Sequence, residues 1–462
     1  MTTHDAHHVD AVVVGGGLAG LAATYRLAER GARVALVEKR DRLGGSSAMS
    51  GGWFALSGTA VQRRAGVDDT SDTFLADMVE SGGGFADEKL LRRLVEREGH
   101  AIETIERARA WTDELKVSAG MRVARAHLVR IPELLAFLEQ QATQHGATVW
   151  RANAATSLAW DGSRVVGVRT EHAEFHARAG VVLTTGGFSR SQELIELFVP
   201  NQSGAMPYGG AGNSGDGLRM AWMLGAGFAD IGHVGGTYGQ HAETTDEEHE
   251  LLTANYLGAI LVDADGDRFT DESASYKILG TAVLKRPQRL AHQIFDAVVR
   301  ARSRPGVPLS DMERIDELGH LVRAPTLIDL EEKLGIPPGR LVRTVDAYNE
   351  GVAGRRDDSF GRTGLVNGVG ALVPIATAPF FAYSAVTALT STYGGLSVTP
   401  DTAVTRVDGT RIEGLYAAGE LVGGFHGASY MTGTALTKAL VFGIEAAHTI
   451  AGSGHLVVSR SN

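Results

Sequence analysis

Residues 11–38, AVVVGGGLAGLAATYRLAERGARVALVE, restrict this chain more than any other segment. AVVV is a short β-branched run and GGGLAG a glycine turn. LAATYRLAERG then suits a helix, with Leu21, Tyr25, Leu27 and Ala28 at helical spacing and Gly31 ending it. ARVALVE returns as a second buried strand that ends in Glu38. The pattern is a βαβ unit carrying G-x-G-x-x-G at Gly15, Gly17 and Gly20. Gly15 permits the turn, Gly17 lets the backbone reach a pyrophosphate, and Gly20 lets the helix pack closely on its strand. The helix start at Leu18 and Ala19 aims its N–H groups and dipole at the phosphates, and Glu38 can accept from the ribose hydroxyls. The segment predicts an α/β chain with a Rossmann-like dinucleotide-binding domain.

Composition narrows the chemistry. The chain has 462 residues, enough for at least two domains, and its 59 glycines imply close backbone approach in several places. With 44 basic and 54 acidic residues the net charge is −10, and no basic run offers itself to a nucleic acid. Zero cysteines exclude disulfides, iron–sulfur and thiolate zinc sites, a cysteine nucleophile and cysteinyl attachment of a cofactor. No apolar run is long enough for a membrane span, and the opening MTTHDAHHVD lacks a signal pattern, so a cytoplasmic protein is expected.

Directly after Glu38 and Lys39, RDRLGGSSAMSGGW at 40–53 supplies a second glycine-rich loop. Gly44, Gly45, Ser46, Ser50, Gly51 and Gly52 in that loop resemble the FAD loop of the fumarate reductase and 3-ketosteroid dehydrogenase flavoprotein superfamily. The resemblance continues along the chain. The strand VVLTTGG at 181–187, with Thr185 and Gly186, is similar to the superfamily's second FAD crossing, and Asn213, Gly215, Asp216 and Gly217 match its ATGDG-containing stretch. Arg268, Phe269, Glu272, Tyr348 and Asn349 resemble its capping domain. Gly419, Glu420, Ala435 and Leu436 fall in a segment like its carboxyl-terminal FAD segment. The resemblance implies dissociable, non-covalent FAD in a Rossmann-like domain of the glutathione-reductase type with an inserted α+β capping domain. The expected boundaries are 1–231 and 376–462 for FAD binding and 232–375 for the cap. Helical periodicity covers 86–118 and 131–145, with Pro132 at a first helical position, and 327–351 reads as two short helices.

A fumarate-type reductase must clamp two carboxylates and protonate a carbanion, which requires fixed cations. The four matching places hold Thr237, Tyr276, Ser391 and Tyr430 instead. The tyrosines in RFTDESASYK and in GGFHGASYMTG resemble those of the 3-ketosteroid dehydrogenases. That likeness implies α,β-desaturation of a cyclic ketone, either a 3-ketosteroid or a smaller alicyclic compound such as an oxocyclohexanecarboxylate. Tyr430 would hold the carbonyl oxygen, helped by a backbone N–H of Gly433 or Thr434. Tyr276 would take the α proton, and hydride would pass to flavin N5. Forming a tyrosinate at pH 7 costs about 4 kcal/mol from a phenol pKa near 10, so an alkaline optimum is expected. Here Thr434 replaces that family's carbonyl-side glycine and Met431 its proline, while FHGA is closer to the reductase branch.

Tyr238, Tyr393 and His426 are further expected substrate contacts. The acidic stretch HAETTDEEHE, from His241 to Glu250, lacks ordered helical spacing and reads as a solvated loop, so no metal site is expected. Histidines 4, 7 and 8 read as a loose terminus. Two alternatives stand beside desaturation: an FAD-dependent enone or enoate reductase, and a non-catalytic flavin-binding redox protein. The electron acceptor cannot be read from the residues.

Overall fold

The computed structural model describes residues 5–245, 248 and 250–454. The chain divides into two units, one of residues 1–199, 208–234 and 391–462, the other of 200–207 and 235–390. His4, Asp246, Glu247 and His249 lie outside the described residues.

The first unit is organised by a sheet in the order Ala403–Thr405, Arg411–Ala417, Ala173–Leu183, Asp5–Val14, Val34–Val37, Thr148–Trp150. The last five pair in parallel with one another, and the first is antiparallel to its neighbour. Parallel strands are covered on both faces, which is why Ala11 to Val14 and Val34 to Val37 are continuously apolar and buried. Helix Leu18–Glu29 joins the first two strands as the glycine motif requires. Helix Thr434–Gly452 packs on it so closely that a Cβ at Gly443 would strike the Ala19 carbonyl.

Two expectations need correction in this unit. His7 and His8 are not loose: the first strand begins at Asp5 and pairs with Ala173 to Ala177. His7 packs on Phe175 and Trp150, and His8 stacks on His176. The helix expected over 86–118 stops at Arg107, and Trp111–Lys116 is a strand of a small antiparallel sheet with Ala126–Val129 and Trp53–Ala55.

In the second unit the long strand Phe380–Thr392 pairs with Met206–Pro207, Val234–Gln240, Leu290–Asp296 and Leu321–Ala324, and Ile260–Val262 adds to the free side of Leu290–Asp296. Because that strand runs through the capping sheet, the chain returns to the cofactor unit at 391 rather than at 376. Helices Leu327–Leu334 and Arg340–Val352 fall where the pattern placed them. The RF-x-x-E motif forms a buried ionic knot. Arg268 forks onto Glu272 at 2.7 Å on each oxygen, bonds Asp358 at 2.6 Å and lies over the Tyr348 ring, while Arg362 reaches Glu272 at 3.3 Å. Asn349 donates to the Ile375 carbonyl at 3.0 Å.

Buried histidines give this fold an acid limit. Burial lowers His127 and His292 to a pKa of about 4. His127 donates from Nδ1 to the Arg125 carbonyl and accepts from Thr59 Oγ1 at Nε2, both at 2.8 Å, which is the neutral ring. The unfolded imidazole protonates near pH 6.5, so between 6.5 and 4 the unfolded chain binds more protons and stability falls as pH falls. Taking the cofactor unit from pH 7.5 to 5 should cost about 2 kcal/mol through His127 alone. Urea unfolding of H127Q should show a smaller drop over that range than the unmodified chain, and equal drops would contradict the assignment.

Candidate active site

Most of the expected cofactor residues converge in the first unit. Gly15 has φ +103°, and the N–H of Gly15 donates to the Val37 carbonyl at 2.8 Å, so the turn closes between the first two strands. At Gly20 a Cβ would lie inside the Gly15 carbonyl and 2.6 Å from Thr184 Oγ1. Gly17 differs: its φ is −74°, and the nearest atom to an added Cβ is Gly44 O at 3.8 Å. It is the N-cap of helix Leu18–Glu29 and no side chain caps that helix, so the first N–H groups at Leu18 and Ala19 are left for an anion. Glu38 accepts from Gly16 N at 2.7 Å and Arg40 N at 2.8 Å, which fixes its carboxylate at the strand end with lone pairs to spare for hydroxyls. Lys39 and Asp216, both expected at the cofactor, bond each other at 2.6 Å.

The second glycine loop is tied down by a residue far along the chain. Glu420 accepts from Thr392 N at 2.9 Å, Asn213 Nδ2 at 3.1 Å and Ser46 Oγ at 3.4 Å, and Ser46 Oγ also accepts from Gly210 N at 2.9 Å. Four segments thus meet at one carboxylate. Burial raises the pKa of Glu420, and burial lowers that of Lys438 to about 8 against the opposing pull of Glu420 and Asp230. The Lys438 ammonium donates to Val422 O at 2.7 Å. Thr185 Oγ1 is buried without a protein partner beside Gly217, where a Cβ would collide with it. An uncapped helix start, glycines without room for side chains and a buried unpartnered hydroxyl together fit a dinucleotide lying on extended backbone. Ser50 donates its hydroxyl to Ser47 O, and Gly52 holds φ +73° against Val129. Gly44 and Gly45 open the short helix Gly45–Ala48, Gly51 adjoins Gly52, Gly186 packs on Asn213, and Gly419 starts a 3₁₀ turn beside Ala19.

Of the expected substrate residues, Tyr430, Tyr393 and His426 form one aromatic cluster. Tyr393 stacks on Tyr430 with centroids 5.8 Å apart, and His426 meets Tyr430 edge-on at 5.3 Å. Gly433, φ +90°, is the N-cap of helix Thr434–Gly452, and a Cβ there would lie 2.6 Å from Ala55 N. Ala435 and Leu436 lie in that helix's first turn. Thr434 is not available as a carbonyl donor, since both its N–H and its hydroxyl donate to Met431 O, at 3.2 and 2.7 Å. Tyr238 is not a cavity residue either. It is fully buried in the capping core and donates to the Ala291 carbonyl at 2.9 Å.

Sequence reasoning missed two supports. Arg125, fully buried, bonds Asp69 at 2.6 Å and Asp77 at 2.7 Å and lies 3.9 Å from Met431 Sδ, so a doubly neutralised cation underpins the Tyr430 loop. Lys277, next to Tyr276, is also buried, its ammonium 5.1 Å from the Tyr276 ring, and burial drives its pKa well down. The spacing Tyr276, Leu279, Gly280, Val283 marked the buried face of helix Tyr276–Leu284, but nothing local marked the lysine as inward. Tyr276 opens that helix. Tyr256, 6.4 Å away ring to ring, donates to Ala274 O at 2.8 Å and holds the preceding segment.

The sequence matches the FAD binding domain family over residues 10–436. The chain belongs to that family. FAD is accordingly its cofactor, and it is an oxidoreductase of the flavoprotein superfamily expected from the motifs. It is 30% identical over 454 residues to NADH:fumarate oxidoreductase of Klebsiella pneumoniae (strain 342), covering 96% of this chain and 47% of that protein, so it spans about half the relative's length. A flavocytochrome c3 fumarate reductase in its open conformation aligns with a TM-score of 0.84 and 29% identity over 97% of this chain and 78% of the other. The 3-ketosteroid-Δ4-(5α)-dehydrogenase of Rhodococcus jostii RHA1 aligns with a TM-score of 0.75 and 24% identity over 98% of both, which establishes a common fold. Among the described residues no helix is long and apolar enough to cross a membrane.

Proposed function

We propose that this flavoprotein introduces a double bond between the α and β carbons of a cyclic ketone, a 3-ketosteroid or a smaller alicyclic oxo compound. The observation that carries this reading is Tyr276, buried at the first position of helix Tyr276–Leu284 with the amine of Lys277 5.1 Å from its ring. Tyr430 donates its hydroxyl to the carbonyl oxygen as enolate charge develops, with Gly433 N–H at the start of a nineteen-residue helix as the second donor. Tyr276 takes the α proton. FAD, when bound, supplies the acceptor for the hydride that leaves the β carbon, so the ketone is oxidised by two electrons to the enone. The stack of Tyr393 and the edge contact of His426 keep the Tyr430 ring in one orientation.

Fumarate fits this set of residues poorly. Thr237, at one of the cation positions, bonds Thr390 at 2.9 Å, and the buried Arg125 is already paired with two aspartates. A dicarboxylate would lose several kcal/mol of solvation without a compensating cation. Reduction of an enone or enoate is the second reading, supported by the Klebsiella relative's name, NADH:fumarate oxidoreductase, since fumarate is an enoate.

Anaerobic mixing of the purified yellow protein with saturated cyclohexanone-type ketones and with steroid 3-ketones tests the proposal. Bleaching of the flavin absorbance supports desaturation, reoxidation of reduced flavin by the enone supports reduction, and silence to both favours the non-catalytic reading. Y430F should lower kcat/KM for the ketone about 10²–10³-fold while the FAD content is unchanged, as loss of one oxyanion donor does. The rate should climb towards alkaline pH as the phenol of Tyr276 ionises. A profile already flat from pH 6 upward would argue against a phenolate base.

A further inference from the structure

We propose that the capping unit carries a divalent transition-metal site formed by His241, Glu243 and His320. One donor atom from each of the three lies within 4.8 Å of the others, and the two imidazole centroids are 3.8 Å apart. The ligands come from two distant segments brought together by the sheet. Strand Val234–Gln240 ends immediately before His241 and strand Leu321–Ala324 begins immediately after His320, and both pair with Phe380–Thr392. This is why the acidic stretch alone showed no ligand spacing: its missing partner is contributed by another strand.

Local bonds order the loop, and the one at His241 Nδ1 is long enough for a metal to displace it. Glu243 N–H donates to His241 Nδ1 at 3.3 Å, Thr244 N–H donates to His241 O at 3.2 Å, and Gln240 Nε2 bonds Thr244 Oγ1 at 2.7 Å. Both imidazoles are half-buried and Glu243 is exposed, so an ion can enter from the carboxylate side. Two imidazoles at this separation repel when both are protonated, whereas both can share their lone pairs with one cation. A zinc ion with metal–N distances of about 2.0–2.1 Å draws its donors to within about 3.3 Å of each other, a shift that side-chain rotation supplies. Two nitrogens and one carboxylate oxygen suit zinc, nickel, cobalt or copper and are too few and too soft for calcium or magnesium. Three protein ligands leave a fourth position for water.

The site would clasp the loop after one capping strand to the start of another, and it stands independently of the ketone reading. The full chain, stripped with EDTA, is titrated with zinc chloride by calorimetry and with cobalt chloride by visible absorbance. The expected result is one saturable zinc per chain, tetrahedral cobalt bands, and a higher thermal midpoint in zinc than in EDTA. H320A should abolish the saturable site, and E243Q, altering an exposed side chain, should weaken it roughly tenfold or more, with circular dichroism and FAD content confirming the fold. If neither single variant changes the isotherm, the bound zinc belongs to other histidines and the proposal fails. Absence of saturable binding to the folded, unmodified chain overturns it equally.

Discussion

Replacing Tyr276 by phenylalanine is expected to slow ketone-driven bleaching of the flavin by about 10²–10⁴-fold, the usual contribution of a positioned general base. The change deletes one oxygen and leaves the ring, which remains packed 6.4 Å from Tyr256. Ser275, which caps the helix by accepting from Lys277 N, is untouched, so the fold of the capping unit should survive. FAD content should not change, because the residues assigned to the cofactor all belong to the other unit. The loss should fall on kcat rather than on KM. Lys277 provides the discriminating control, since its buried amine lies 5.1 Å from the Tyr276 ring. K277M should lower the rate far less than Y276F, and the reverse order would transfer the role to the lysine. A Y276F protein that bleaches at the unmodified rate would remove the tyrosine from the reaction.

The second large effect is expected at the first glycine turn, where two alanine substitutions should separate packing from cofactor contact. G20A places a methyl group inside the Gly15 carbonyl and against Thr184 Oγ1, which already donates to Val14 O at 2.9 Å and Gly15 O at 2.8 Å. Nothing there can move without lifting helix Leu18–Glu29 off its strand, and overpacking of this kind costs about 1–3 kcal/mol or more. The protein should be colourless and melt well below the unmodified chain. G17A has open space and an ordinary backbone conformation, so the apoprotein should fold normally. Its methyl group would stand where the pyrophosphate meets the helix start, and FAD affinity should fall by at least about tenfold. Flavin-to-protein absorbance after gel filtration, together with thermal melts, checks both. A G17A protein that keeps its FAD would move the phosphates away from this turn.

Local patterns carried much of this reading, and long-range pairing accounts for what they left out. The βαβ unit, the helix after Arg130 and the two short capping helices were legible because periodicity, a proline at helix start and glycine stops act within a few residues. The strand Trp111–Lys116 was not, because its pairing partner Ala126–Val129 lies beyond a loop. The return to the cofactor unit at 391 is not legible because Phe380–Thr392 carries no mark of which sheet it joins. In the site, the glycines and Glu38 follow from spacing. The ionic partners of Arg125, the inward turn of Lys277 and the commitment of Tyr238 and Thr434 to backbone carbonyls follow only from tertiary placement.

The cofactor sheet also has a temporal consequence. Its strand Asp5–Val14 must wait for Ala173–Leu183, that strand for Arg411–Ala417, and helix Leu18–Glu29 for the arrival of Gly443. On the ribosome, the glycine turn is therefore made long before Gly443, whose arrival completes its packing. Until then an apolar strand and an uncapped helix stand without their partners, a state prone to association with other nascent chains. Cells lacking a holdase should therefore accumulate more of this polypeptide as aggregate.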